Sequence, residues 1–225
     1  MKLDSIPIFC INLNTKSEKY ERVKKRLNYY NLEVIRWEAV TPTEVPYQEY
    51  NFVNYLNLGQ KGCTSSHLNL YKYMLNNNID VALILEDDAS FRYDWKNIVD
   101  DKLKNIDTED PEWQCLFLNV SEEISPIETW TKITNQCLSA GYIINKKGIH
   151  FILDHFKDLY YCIDWMTQVL QSRNHCYSYF PWLIIQENHK SDTRGEDLEY
   201  NPDYLKVKRL LITYKYPLSN YDLMV

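Results

Sequence analysis

The sequence predicts an α/β protein built on a mostly parallel central sheet flanked by helices, and three observations carry that prediction. Residues 6–13 form a short apolar run suited to a buried strand. Residues 18–31 then read as a basic amphipathic helix, and residues 32–40 alternate like a second strand. Two more apolar runs, residues 80–85 and 113–120, follow the helical stretches 62–76 and 95–105. Strands alternating with helices at this spacing are the mark of βαβ units, which close parallel sheets.

Each element has a local reason. Asn14, Thr15, Lys16 and Ser17 supply cap chemistry ahead of the first helix. Residues 41–60, rich in Tyr, Asn and Pro, break the pattern and read as a loop over a site. The aromatics of residues 47–55 suit either a ligand contact or a plain core or dimer-contact role. The helix at 62–76 places Leu68, Tyr71 and Leu75 on one side. A short strand at 141–145 leads into helices at 146–159 and 163–172, and the chain after Asn188 turns polar, then mixed.

At 225 residues the chain is expected to be one domain, large enough to bury roughly 70% of its unfolded surface without disulfide staples. Six Cys with no CxxC pair read as reduced, mostly buried thiols, with Cys10 and Cys115 inside strands. Asn119-Val120-Ser121 is a formal sequon that reads as the end of a strand. A net charge of −6 argues against a general nucleic-acid binder, which needs a basic face. No run reaches the roughly 20 apolar residues of a membrane span. The opening run is too short for a signal peptide, so a soluble chain is expected. Oligomeric state and compartment are left open.

Five clusters carry potential chemistry. Glu86, Asp87 and Asp88 follow directly on a buried strand, where ligands bind in open α/β sheets. Adjacent carboxylates repel unless a proton or cation offsets them, so the triplet reads as a site for a hard divalent ion and a diphosphate, or else as a solvated acidic turn. Gly59 to His67 opens a helix, which suits anion binding by backbone N–H groups, with Ser66 and His67 near the first turn; the plainer reading is a helix cap with His67 a core or surface histidine. Asn12 and Leu13 end the first strand, and Lys19, Arg22 and Arg26 share one helix face, able to hold a phosphate or simply solvated. Asp164 stands at a helix start, as an N-cap or a general base. Residues 186–194, with Glu187 and His189, gather acid, base and hydroxyl groups in a surface-loop composition.

Taken in order, these segments resemble glycosyltransferase family 25, which includes bacterial lipooligosaccharide transferases and collagen hydroxylysine sugar transferases. Ile11-Asn12-Leu13 followed by Arg22 is similar to the family's opening. Gly62-Cys63-Thr64-Ser65-Ser66-His67 resembles its Gly-Cys-x-x-Ser-His element, and Glu86-Asp87-Asp88 its Glu-Asp-Asp. Gly141 to Gly148, Asp164 and Ser191-Asp192-Thr193 resemble later elements, the last from the collagen-modifying branch. Asn14, where many relatives carry a charge, and Trp165 after Asp164 depart from the pattern.

The resemblance implies a GT-A type nucleotide-diphospho-sugar fold. It implies an inverting transfer of glucose or galactose from UDP-glucose or UDP-galactose, with Mn²⁺ or Mg²⁺. The acceptor would be a collagen-like protein, through hydroxylysine or galactosyl-hydroxylysine, or a lipooligosaccharide or other glycan. In these terms Asp88, Glu86 and His189 would be metal ligands and Asp164 the base. Asn12, Leu13 and Arg22 would line the nucleotide pocket, Ser66 and His67 would face the donor sugar or phosphate, and Glu86 or Asp87 the metal or ribose. A noncatalytic nucleotide-sugar-binding protein and a metal-dependent phosphohydrolase are the readings from other classes.

Overall fold

The computed structural model describes residues 1–41, 50–122, 127–187 and 202–222. Among the described residues, seven strands form one sheet: β1 (Ile8–Asn12), β2 (Ile35–Glu38), β3 (Val81–Glu86), β5 (Cys115–Phe117), β6 (Trp130–Lys132), β7 (Gly141–Asn145) and β8 (Cys176–Tyr179). Their order is β2-β1-β3-β7-β5-β8-β6. β1 pairs in parallel with both β2 and β3, and β5 with β8, whereas β7 runs antiparallel between β3 and β5, and β6 antiparallel to β8. Two further strands, β4 (Ala89–Phe91) and β9 (Ile184–Gln186), pair antiparallel beside it.

The period-2 geometry of the strands sorts their side chains to two cores. Phe9, Ile11, Ile84 and Ile144 face one core, with Leu68, Tyr71 and Met74 of α2 (Leu58–Asn76), Ile149 and Ile152 of α4 (Lys146–His155), Met166 and Leu170 of α5 (Ile163–Gln171), and Leu211 of α6 (Pro202–Thr213). Ile8, Cys10, Leu83, Leu85 and Ile143 face the other, with Val23 and Leu27 of α1 (Ser17–Tyr29) and Trp95, Val99 and Leu103 of α3 (Trp95–Glu109). Helices on both faces explain why β1, β3 and β7 are apolar along nearly their whole length. The expected α/β class with flanking helices is the one observed, but the sheet is mixed: five strands run one way, β6 and β7 run against them, and half of the pairings are antiparallel. The short strands β4, β6, β8 and β9 are additions to the sequence reading.

Two expectations need correction. The second long helix starts at Leu58, not Gly62: Asn57 accepts the Gln60 N–H at 2.8 Å while Gln60 Oε1 accepts the Asn57 N–H at 3.1 Å, a reciprocal capping box. Gly59 falls in the first turn of α2, but Gly62, Ser66 and His67 lie further inside it, where the backbone N–H groups are already bonded. The basic stripe of α1 is also not solvated, because each of its three cations meets an acid, as described below.

All six Cys are free thiols; Cys10, Cys115 and Cys176 are buried, while Cys63, Cys137 and Cys162 are half-buried. Asn119 is fully buried and donates Nδ2 to the Ile184 carbonyl at 3.2 Å. Tyr50 and Phe52 pack in the core, while Tyr55 is exposed. Among the described residues, no helix is long and apolar enough to cross a membrane.

Candidate active site

Parallel pairing brings the carboxyl ends of β1 and β3 side by side, with Ile11 opposite Glu86. Asn12, buried at the end of β1, therefore reaches Asp87. Its Nδ2 donates to Asp87 Oδ2 at 2.6 Å and to the Lys16 carbonyl at 2.9 Å, while its Oδ1 accepts from Arg36 Nε at 2.8 Å. Arg36 Nη2 also donates to the Leu13 carbonyl at 3.2 Å. Lys19 Nζ lies 3.7 Å from Asp87 Oδ1. Asp87 is thus held from the α1 side by an amide and a cation.

Glu86 and Asp88 sit in a different environment. Ser139 Oγ donates to Glu86 Oε1 at 2.9 Å, and Gln186 Nε2 makes long contacts with Glu86 Oε2 at 3.4 Å and Asp88 Oδ2 at 3.5 Å. Asp88 Oδ1 is buried with no hydrogen-bond partner. Burial, followed by the charges of Asp88 and Asp164, pushes the Glu86 carboxyl up to about 8. Burial and the charge of Asp87 push Asp88 up to about 7, against the lowering pull of Lys19. Two carboxyls held this far above their ordinary range form a site short of positive charge.

β4 pairs with β9 immediately after the acids, and this pairing delivers Gln186 and Glu187 to them; the Glu187 N–H donates to the Asp88 carbonyl at 2.8 Å. Glu187 in turn anchors α1. Arg26 donates to Glu187 and, through Nη1, to the Ala89 carbonyl at 2.9 Å, and its Nε lies 3.5 Å from Asp222 Oδ1. Arg22 Nε lies 3.3 Å from Glu187 Oε2.

On the opposite side of the sheet, α2 brings up Cys63 and His67. The His67 ring is fully buried, with Nδ1 2.7 Å from the Tyr142 hydroxyl and Nε2 4.0 Å from Glu86 Oε1. Burial drives its pKa down to about 3, so the ring is neutral. Ser66 spends its hydroxyl on framework bonds, donating to the Gly62 carbonyl at 2.7 Å and accepting the Val40 N–H at 2.9 Å. Thr64 Oγ1 accepts the Ile163 N–H at 3.1 Å, tying the start of α5 to α2. Asp164 stands in the first turn of α5, near enough to Glu86 and Cys63 for its charge to raise both pKa values.

The structure thus gathers Asn12, Leu13, Glu86, Asp87, Asp88, His67 and Asp164 around the ends of β1 and β3. Arg22 sits one layer back, on Glu187. Ser66 sits at the α2–β2 junction. His189 and Ser191-Asp192-Thr193 lie outside the described residues. Sequence reasoning missed Ser139 and Asp222, which come from distant segments and carry no motif signal, and gave no role to Tyr142, although it lies in the 141–148 segment.

The family model described as glycosyltransferase family 25 (LPS biosynthesis protein) matches residues 5–167. The chain is similar to procollagen galactosyltransferase 1-A of Xenopus laevis, 23% identical over 175 residues, covering 68% of this chain and 29% of that protein. It is also similar to human procollagen galactosyltransferase 2, 24% identical over 163 residues, covering 63% of this chain and 26% of that protein. The match thus spans less than a third of either relative. A solved glycosyltransferase involved in glycosylation of the major capsid of PBCV-1 aligns over 92% of this chain and 98% of its own, at 9% identity and a TM-score of 0.45. Since the family match runs from β1 through the acids after β3 to the start of α5, the chain belongs to glycosyltransferase family 25.

Proposed function

We propose that this chain is a GT-A type, metal-dependent, inverting transferase that moves glucose or galactose from a UDP-sugar to a hydroxyl acceptor. One observation carries the reading: the carboxylates of Glu86, Asp88 and Asp164 converge at the end of β3, two of them raised well above their ordinary range. The family membership supports the reaction class, and the relatives named procollagen galactosyltransferases support a collagen-type acceptor, hydroxylysine or galactosyl-hydroxylysine. The family description as an LPS biosynthesis protein supports a glycan acceptor as the second reading.

The donor set fits a hard divalent cation such as Mn²⁺ or Mg²⁺. It offers carboxylate oxygens, and Asp88 Oδ1 is buried without a partner. Asp88 and Glu86 would hold the ion, with His189 as a further proposed ligand. Bound there, it would supply Lewis-acid neutralisation of charge on the departing diphosphate. The chain's own residues do the rest. Asn12, the Leu13 backbone and Arg22, through Glu187, shape the nucleotide side, and Asp87 offers a fixed carboxylate to the ribose. His67 and the α2 segment that Ser66 anchors wall the sugar side. Asp164 takes the acceptor's hydroxyl proton as that oxygen attacks the anomeric carbon. The new C–O bond forms on the face opposite UDP, and UDP leaves with the electron pair of the old one.

The test is UDP release from a panel of UDP-sugars, with and without Mn²⁺ and with and without a deglycosylated collagen peptide. Mn²⁺-dependent release from a glucose or galactose donor, raised by the peptide, is expected. It should be abolished in a folded Asp88→Asn variant. Release that ignores the peptide moves the acceptor to a glycan. No release from any donor by folded protein overturns the transferase reading in favour of a nucleotide-sugar-binding protein.

A further inference from the structure

Cys63 and His67 are four residues apart on α2, so they share one helix face, and that face looks onto Glu86. One ligand atom from each of Cys63, His67 and Glu86 lies within 4.8 Å of the other two. A thiolate, an imidazole and a carboxylate form a donor set unlike the all-oxygen set of Glu86 and Asp88. It favours a borderline-soft cation, and zinc above manganese.

Two features show that the imidazole is built for this. His67 Nε2 is fully buried and has no hydrogen-bond partner, although it points toward Glu86. Its other nitrogen sits 2.7 Å from the Tyr142 hydroxyl, itself 2.6 Å from the Tyr71 hydroxyl. A proton on Nδ1, donated to Tyr142, leaves the Nε2 lone pair aimed at the cluster. This is the outer-shell arrangement that fixes a metal-ligating histidine. Zinc bonds of ordinary length set tetrahedral ligand atoms about 3.5 Å apart. The trio therefore needs to draw in by roughly 1 Å, within reach of the Cys63 and Glu86 side chains. Three protein ligands leave the fourth position open.

We propose that Cys63, His67 and Glu86 form a binding site for a zinc-class divalent cation, one that sequesters Glu86 and so antagonises the ion held with Asp88. Binding releases the thiol proton to solvent. The binding itself stands without the transferase reading, and only the antagonism rests on it.

The probe is Co²⁺ added to metal-free full-length protein, read by near-ultraviolet thiolate-to-cobalt absorption. The native protein is expected to develop the band and lose it to equimolar Zn²⁺ but not to equimolar Mn²⁺, which binds such a donor set more weakly. Cys63→Ser, a conservative change at a half-buried position, is expected to lack the band while keeping the native circular dichroism. A native protein without the band overturns the site, as does a band that persists in Cys63→Ser. In the UDP-release assay, Zn²⁺ at the level that saturates the site is expected to abolish Mn²⁺-supported release by the native protein and leave Cys63→Ser at its zinc-free rate. Equal inhibition of both proteins overturns the antagonism. A protein that shows the band but releases no UDP from any donor keeps the metal site and refutes the transferase reading instead.

Discussion

The amide of Asn12 holds the carboxylate of Asp87 at 2.6 Å, across the adjoining ends of β1 and β3 and 75 residues of chain. The same side chain accepts from Arg36 of β2, so one buried amide fastens three consecutive strands of the sheet at the lip of the site. Asn12→Ala would leave partners of that amide unsatisfied. A loss of about 1–3 kcal/mol in stability is expected, measured by urea denaturation. Donor binding should weaken with it, because Asp87 is released. An unchanged denaturation midpoint would refute this account of the strand ends.

The raised carboxyls make a signed prediction about pH. In the unfolded chain Glu86 and Asp88 ionise near their ordinary values of 4.5 and 3.8; folded, they hold protons up to about 8 and about 7. The folded state thus binds more protons in between, and the stability this confers is complete below the ordinary values and lost as pH rises through the folded ones. His67 acts the other way and lower down: buried and neutral, it costs stability as pH falls from its ordinary 6.5 toward about 3. Above the ordinary histidine value only the carboxyls of this set act. The melting temperature in chelator is expected to fall with rising pH up to about pH 8, and Glu86→Gln should flatten that slope. A slope identical in the variant would contradict the assignment. Added Mn²⁺ should restore more stability at the alkaline end, where protons no longer compete for its ligands.

Glu187 and Arg26 are both almost wholly buried, with side-chain exposures of 5% and 4%. Glu187→Gln would leave the Arg26 charge with a weaker set of partners, and removing one member of such a pair costs roughly 3 kcal/mol or more. The expected result is a clear drop in the unfolding midpoint. Loosening of α1 against β4 and β9 should appear as faster amide exchange in those elements. A drop below about 0.5 kcal/mol would show the pair to be energetically idle.

Two glycines of the 141–148 segment predict different responses. A Cβ on Gly141 would meet the end of the Ile184 side chain, and a rotamer change can relieve that contact. A Cβ on Gly148 would meet the Gln114 backbone carbonyl at 2.9 Å, beside the Asn145 cap that accepts the Gly148 N–H at 3.1 Å. Backbone yields less readily, so Gly148→Ala is expected to destabilise by about 1–3 kcal/mol and by more than Gly141→Ala. Thermal melts of the two variants in the reverse order would refute the reading.

Much of the architecture was legible because the strands that matter most are long enough to show their character. β1 and β3 are continuous apolar runs with helices between them, and helices packed on both faces require that pattern. The acids after β3 were legible for the same reason, since a charged triplet ending a buried strand is conspicuous. β4 and β9 are three residues each, too short for any period, so the delivery of Gln186 and Glu187 to those acids could not be read.

Local sequence thus determined the α/β class, the strand ends and the residue types available there. Tertiary structure decided their partners. It turned Lys19, Arg22 and Arg26 from an apparent solvated stripe into ties to Asp87, Glu187 and Asp222, and it moved Ser66 and His67 from a supposed helix start to the buried interior of α2. It also set Cys63 and His67 against Glu86. Periodicity reports which face of an element is apolar, a property of neighbouring residues. Which charges meet, and how far burial shifts them, depends on strand order and register, which bring together side chains 75 to 161 residues apart.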